Sequence, residues 1–300
     1  MSLNQEGQSR SVEATVQKIV LYLIIIAVAV VGGYYLAVAL VPTPKIGIIS
    51  LQTQINGLVA ELTAQQIKYA IEADDIKGVV LVVNSPGGSA SAGHDIYYQV
   101  RKLRDAKPVV VSMDSLAASA AYQIAIGGNE IYAKPATLVG NIGVIVGLPQ
   151  PEVLSERFIT TGPFKATAFS ATGIVQKLDL LYADFRDSVV AERLAAPNPL
   201  KLDPDQVATG EIWVGLEAKE YGLIDEIGSL LDAIDRAGQL ANVENYEVVD
   251  VRDEYLSSLD EDTLISVMKQ YEALDSIPEI DLTSQESRWP MLYQIYIPLE

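Results

Sequence analysis

The apolar positions of the chain fall into two patterns. Ile19–Val41 is a run of 23 residues without a charge. As a helix rising ~1.5 Å per residue it spans about 34 Å, enough for a ~30 Å hydrocarbon core. Short runs rich in Val and Ile follow, each bounded by polar residues, Gly or Pro. Lys45–Leu51, Gly78–Asn84, Pro108–Met113, Glu130–Tyr132, Gly143–Gly147, Arg157–Thr161 and Tyr246–Val251 therefore predict strands. The near-continuous apolar character of Gly78–Asn84 suits a strand buried on both faces. Between them, Thr63–Glu72 (with Thr63 as cap), Ala92–Leu103, Ser119–Ile126, Leu178–Leu194 and Glu261–Leu274 predict helices. Strands alternating with helices predict an α/β sheet with right-handed crossovers.

The first apolar run divides the chain. Residues 1–18 are polar, 19–41 form the membrane anchor, and Pro42-Thr43-Pro44 makes a short stiff exit. Ala37-Val38-Ala39 has the form of a signal-peptide cleavage site, but a signal core is only about 7–15 residues, so a retained anchor is the expectation. Arg10 and Lys18 precede the span and Lys45 follows it, a slight positive-inside bias. It places the N-terminus in the cytoplasm and the following domain on the extracytoplasmic side of the cell membrane.

Charge narrows the partners. The net charge is −18, which rules out a general nucleic-acid binder. Residues 250–300 hold twelve acidic side chains against Arg252, Lys269 and Arg288. An acidic tail over 251–300 is the expectation, and it ends in the apolar stretch Trp289–Leu299. Free in water that stretch would be a sizeable exposed patch. Packing as a final strand is the plain expectation. The sharper one is docking on a neighbouring subunit beside the groove that holds Ser119, limiting access to it. The chain has no cysteine and one histidine, His94, so neither a thiolate nor a His-rich metal site is available.

The chemistry centres on Asp114–Ile126, DSLAASAAYQIAI, where Ser119 sits among alanines at the start of a helix. A helix start exposes unpaired N–H groups beside the hydroxyl. Capping is the commoner role for such a serine, and catalysis the rarer one. A catalytic serine needs a base. His94 lies 25 residues before Ser119 and is expected to face solvent. A lysine serves only if its pKa is lowered by burial. Upstream, Gly78–Ser89 runs from a strand into Asn-Ser-Pro-Gly-Gly-Ser, a turn that can present backbone N–H groups to a ligand.

Four motifs in order, NSPGGS at 84–89, ASAAY at 118–122, VGNIGV at 139–144 and TGPFKATAFS at 161–170, resemble the signal peptide peptidase A family of membrane-bound Ser/Lys proteases. The closing segment EIWVGLEAKEYGLIDEIG resembles that of the family as well. The resemblance covers roughly 45–250 and implies a protease domain with the Clp-protease/crotonase-like fold, a repeated β-β-α spiral. It implies Ser119 as nucleophile and Lys165 as general base, with Phe164, Ala166, Ala168 and Phe169 as an apolar pocket. On residue evidence alone, Lys165 reads as an ordinary surface lysine. Lys134 lies where the family has no catalytic lysine. The resemblance assigns the N–H groups of Gly88 and Ala120 to the oxyanion hole.

Two departures stand out. Ala120 and Ala121 replace usual glycines, and Asn141 stands where the family has a serine that orients the lysine. The expected activity is cleavage of apolar peptides such as signal-peptide remnants, by a homo-oligomer with no cofactor implied. A crotonase-like acyl-CoA enzyme and an inactive membrane scaffold of the same fold are the alternatives.

Overall fold

In a computed structural model, backbone is described for residues 3–40, 43–146, 161–162, 170–275 and 292–294. The chain divides into two units, residues 1–43 and 44–300. The first is helix α1 (Leu3–Leu40). Its segment Gln17–Leu36 has a mean hydropathy of 2.5 and fits a membrane anchor.

The second unit opens with β1 (Lys45–Leu51) and α2 (Gly57–Glu72). β2 (Ile76–Ser85) runs through a tight turn into the two-residue β3 (Gly88–Ser89) and then α3 (Ala90–Ala106). β4 (Val109–Ala118) leads to the short α4 (Ala120–Ala125), β5 (Glu130–Ala133), β6 (Leu138–Gly140) and β7 (Ile145–Val146). After α5 (Ala171–Leu194) come α6 (Pro204–Val207), β8 (Ile212–Val214), α7 (Gly215–Glu220), β9 (Glu226–Ile227) and α8 (Leu230–Leu240). The described part closes with β10 (Glu247–Asp250), α9 (Val251–Ser257), α10 (Glu261–Asp275) and β11 (Leu292–Gln294).

The main sheet has the order β10-β1-β2-β4-β5-β9, and β6 joins it through β4 and β8. Every pairing is parallel except β6 with β8. β4 is longer than its apolar core. Val110–Met113 pair with β5, and Leu116–Ala118 then pair with β6 on the same edge. The larger core cluster takes side chains from α2, α3 and α4, and a smaller one joins Ile46, Val80, Val82 and Val110 to Ala233, Ile234 and Ala237 of α8. Helices thus cover both faces, which is why β2 is apolar along its length. This mixed α/β architecture is the expected class.

Three local readings change. The helix expected from Thr63 begins at Gly57: Asn56 is its cap, accepting from the Val59 N–H at 3.0 Å, and Thr63 is buried mid-helix. The strand expected to end at Met113 runs on to Ala118, because β6 supplies ladder partners for Leu116–Ala118. The acidic stretch after 250 is folded as far as 275. Val251 is fully buried in the core, Gln66 Nε2 donates to Tyr271 Oη at 3.1 Å, and Lys45 Nζ bridges Asp75 at 2.9 Å and Glu254 at 2.8 Å. The expected strand Arg157–Thr161 lies outside the described residues but for Thr161.

Behind the sheet's carboxyl end, Arg193 and Asp225 form a buried two-pronged ion pair, both contacts at 2.9 Å. Asp225 also accepts from the Ile131 N–H at 2.7 Å, and Arg193 Nε donates to the Gly222 carbonyl at 2.9 Å. Removing one partner leaves a buried charge alone, so Asp225→Ala should cost about 3–5 kcal/mol. Lys134→Ala, which breaks only an exposed pair with Asp114, should cost less than ~1 kcal/mol. Thermal or denaturant unfolding of the two variants measures the contrast.

Glu192 ties α5 to α3. Burial alone would raise its pKa, but hydrogen bonds from Arg104 and Tyr97 outweigh it and hold the carboxyl low. A depressed carboxyl contributes stability above its unfolded pKa and loses it as pH falls through the folded value. The Glu192→Gln variant should therefore show a weaker loss of stability below ~pH 4.3 than the parent chain. Unfolding curves across that range test this.

Candidate active site

The site is built where two strand ends meet. At the end of β2 the chain turns through Pro86-Gly87-Gly88, with the Gly87 N–H donating to Ser85 Oγ at 3.2 Å. Neither glycine can carry a side chain. At Gly87 (φ +97°) a methyl would lie 2.8 Å from both the Ala118 carbonyl oxygen and Ser119 Cβ. At Gly88 (φ +151°) it would lie 2.1 Å from the Ile55 carbonyl oxygen. The loop is thus wedged between Ile55 and the serine turn, and only glycine permits that approach. Ile55 holds it from one side: the Ile55 N–H donates to the Gly87 carbonyl at 2.8 Å and the Ser89 N–H to the Ile55 carbonyl at 2.9 Å.

Ser119 is the single residue between β4 and α4. Its φ of 57° and ψ of −125° are a conformation that side chains rarely adopt. Two backbone bonds hold it there: its N–H donates to the Gly140 carbonyl at 2.8 Å, and its carbonyl accepts from the Gln123 N–H at 3.0 Å. The capping role left open by the sequence is not taken, since the hydroxyl makes no cap bond to α4. Ser119 is fully buried, and its Oγ has no hydrogen-bond partner among the described residues. Among the described residues, nothing gives this buried hydroxyl on a strained turn a structural use.

α4 is anchored behind the serine. Tyr122 is fully buried, and its hydroxyl donates to the Leu223 carbonyl at 2.8 Å. Burial drives that hydroxyl's pKa upward, so it remains a donor. Leu223 lies in the loop that the Arg193–Asp225 pair secures. On the other side α3 packs against α4 at Gly93, where a methyl would meet Ala120 Cβ at 2.8 Å. The alanine that replaces a usual glycine at 120 is accommodated by this glycine opposite it.

Asn141 adjoins Gly140, the residue that holds the Ser119 N–H. Its φ is 51°, its N–H donates to the Glu211 carbonyl at 2.7 Å, and its Nδ2 donates to the Gly210 carbonyl at 2.9 Å. With the amide donor spent on Gly210, its Oδ1 is the group left to accept from an ammonium. Lys165 and its expected apolar pocket lie outside the described residues. Lys134 is held by Asp114 at the surface.

His94 is not the solvated residue expected from sequence. Its Nε2 lies 2.6 Å from Asp184 Oδ2 on α5 and 3.1 Å from Gln123 Nε2, and its Nδ1 lies 2.8 Å from the Ala90 carbonyl. Both ring nitrogens are engaged, and neither is bonded to Ser119. A cleft of about 840 Å³ runs past His94, Tyr98, Leu180 and Asp184, and Ser119 does not line it. Sequence reasoning missed Gly93, Tyr122 and Gly140. Of these, only Gly140, beside Asn141 in VGNIG, carried a signal, since glycine marks the positive φ of 112° found there.

The sequence model of peptidase family S49 matches residues 101–244, and that of Clp protease matches 43–138. "Protease 4" of Salmonella typhi is 33% identical over 208 residues, covering 65% of this chain and 33% of that protein. "Protease 4" of Haemophilus influenzae is 33% identical over 193 residues, covering 60% of this chain and 31% of that protein. "Serine protease SPPA, chloroplastic" of Arabidopsis thaliana is 29% identical over 208 residues, covering 64% and 30%. The chain therefore spans about a third of the length of these relatives. Among solved structures, a ClpP1 mutant from Listeria monocytogenes aligns with a TM-score of 0.45 at 16% identity, over 62% of this chain and 94% of that one. This chain is thus similar to peptidase family S49 over residues 101–244, consistent with the signal peptide peptidase A proteins it resembles.

Proposed function

We propose that the chain is a membrane-anchored serine endopeptidase with Ser119 as nucleophile and Lys165 as general base. The observation that carries this reading is Ser119 itself: strained, buried, uncapped, and pressed against a Gly-Gly loop. In the proposed reaction the neutral Lys165 amine takes the Ser119 hydroxyl proton as Oγ attacks the peptide carbonyl carbon. The N–H groups of Gly88 and Ala120 receive the oxyanion. Lys165 returns the proton to the leaving amine, and water then hydrolyses the acyl-enzyme by the same route reversed. Asn141 Oδ1 orients the lysine.

The substrates of this reading are apolar peptides such as signal-peptide remnants. Residues 19–41 anchor the chain in the membrane, with residues 1–18 in the cytoplasm and the protease domain outside. The domain takes in 45–250 together with the helices that pack on it up to residue 275, and assembly into a homo-oligomer belongs to the same reading.

Ser119→Ala and Lys165→Ala should each lower kcat for an apolar peptide by at least ~10³-fold, and the double variant should lose little more. His94→Ala should retain activity below its unfolding temperature. Loss of activity in folded His94→Ala, with Lys165→Ala active, overturns the dyad. The rate should rise with pH through a lysine pKa below ~10.4, because the neutral amine is the working form. A rate independent of pH with unchanged KM counts against a lysine base.

Backbone strain at Ser119 has its own test. Glycine adopts φ 57°, ψ −125° freely and alanine does not, so Ser119→Gly should be about 1 kcal/mol more stable than Ser119→Ala. Equal melting temperatures would mean the turn is unstrained.

A further inference from the structure

Gly87, Gly88 and Ser89 each bring an N–H donor to the loop beside Ser119, and Pro86 brings none. Two of these donors are spent on the loop's own frame. The Ser89 N–H donates to the Ile55 carbonyl at 2.9 Å, and the Gly87 N–H to Ser85 Oγ at 3.2 Å. The Gly87 carbonyl accepts from the Ile55 N–H at 2.8 Å. The Gly88 N–H, the donor assigned to the oxyanion, is the one that these bonds leave over.

Glycine accepts φ of either sign, so a Gly-Gly loop keeps one set of N–H directions only if its peptide planes are held. Each N–H shares a rigid plane with the carbonyl before it. The bond from Ile55 to the Gly87 carbonyl therefore also holds the plane that carries the Gly88 N–H. The plane before that one carries the Gly87 N–H, and Ser85 holds it. Among the described residues, Ser85 is the one side chain bonded to the backbone of 86–88. It is itself fixed, buried at the end of β2 and standing opposite Ala117 in the ladder, two residues before Ser119. Its hydroxyl thus ties the loop to the strand that delivers the serine.

We infer that Ser85 is a positioning residue for the reaction: by engaging the Gly87 N–H, its hydroxyl fixes the direction of the Gly88 N–H toward the developing oxyanion. This deepens the protease reading and rests on it. Full charge on the carbonyl oxygen arises only in the transition state, so a misdirected donor slows turnover without weakening substrate binding. A serine hydroxyl bonded to the N–H two residues on is also a common turn device. A turn device alone costs stability and has no selective effect on kcat.

The test uses the full chain. Ser85→Ala removes the acceptor, Ser85→Thr keeps it, and Ser85→Cys fills the same space with a weaker one. Hydrogen exchange at the Gly87 amide should speed up at least about tenfold in Ser85→Ala and not in Ser85→Thr. For a short apolar peptide, Ser85→Ala should lower kcat about tenfold and leave KM within about twofold. That loss is smaller than the ~10²–10³-fold of an oxyanion donor removed outright, because the donor is misdirected rather than absent. Ser85→Thr should recover most of the loss, and Ser85→Cys should fall between; if Ser85→Ala does not fold, Ser85→Cys carries the comparison. Unchanged exchange overturns the tie. Faster exchange with kcat unchanged, or a loss seen in KM instead, overturns the positioning role. Equal losses in the alanine and threonine variants overturn the part given to the hydroxyl. A parent chain that cleaves no peptide, with exchange still faster in Ser85→Ala, overturns the protease reading and leaves the tie as a structural bond alone.

Discussion

The close approach of two backbones at the serine turn constrains most of the second unit. The Pro86-Gly87-Gly88 loop touches Ala118 and Ser119 at distances that exclude any side chain on the loop. To hold that contact, β2 and β4 must be neighbours in a parallel sheet, so that both strands end at the same edge. Parallel neighbours need a crossover, and α3 supplies it, starting directly from the loop with Ser89 as its cap. Gly93 on that helix then has to lie against Ala120. A few sub-van der Waals margins thus link sheet order, crossover and helix packing to one serine.

The strain of that turn is sustained by what stands behind it. α4 has only six residues, too few to be stable alone. Its hold comes from the Ser119 N–H on Gly140, from Tyr122 on Leu223, and from the buried Arg193–Asp225 pair that secures the loop carrying Leu223. Asp225 also pins β5 through Ile131, so the same carboxylate braces the sheet edge and the helix support. Among the described residues the Ser119 hydroxyl has no hydrogen-bond partner, and Gly88 of the adjoining loop stands opposite Gln294.

Much of the frame was legible in the chain. The 23 uncharged residues of 19–41, the Val-rich core of β2 and the helix within Ala92–Leu103 follow from local hydrophobic pattern, because burial on one face, two faces or all round leaves a distinct period. NSPGG was legible for a related reason: consecutive glycines signal φ values or close approaches that other residues cannot meet. The position of Ser119 among alanines was legible too, but not its conformation, and conformation is what separates a helix cap from a strained nucleophile.

What only the tertiary structure decided depends on residues far apart in sequence. Asn56 rather than Thr63 caps α2, because the periodicity of a buried face does not mark where the helix starts. Asp114–Ala118 are strand because β6, twenty residues on, completes their ladder. His94 looked solvated in isolation, and Asp184, 90 residues away, gives it a partner. The acidic stretch after 250 looked like a tail by charge, yet Val251 and Tyr271 bind it to the core. The C-terminal run was apolar enough to demand cover, but composition cannot name the strands that Leu292–Gln294 pair with, Gly88–Ser89 and Ile145–Val146. Local composition determined which segments must be buried or extended; the partner of each was set by chain topology, which no local window contains.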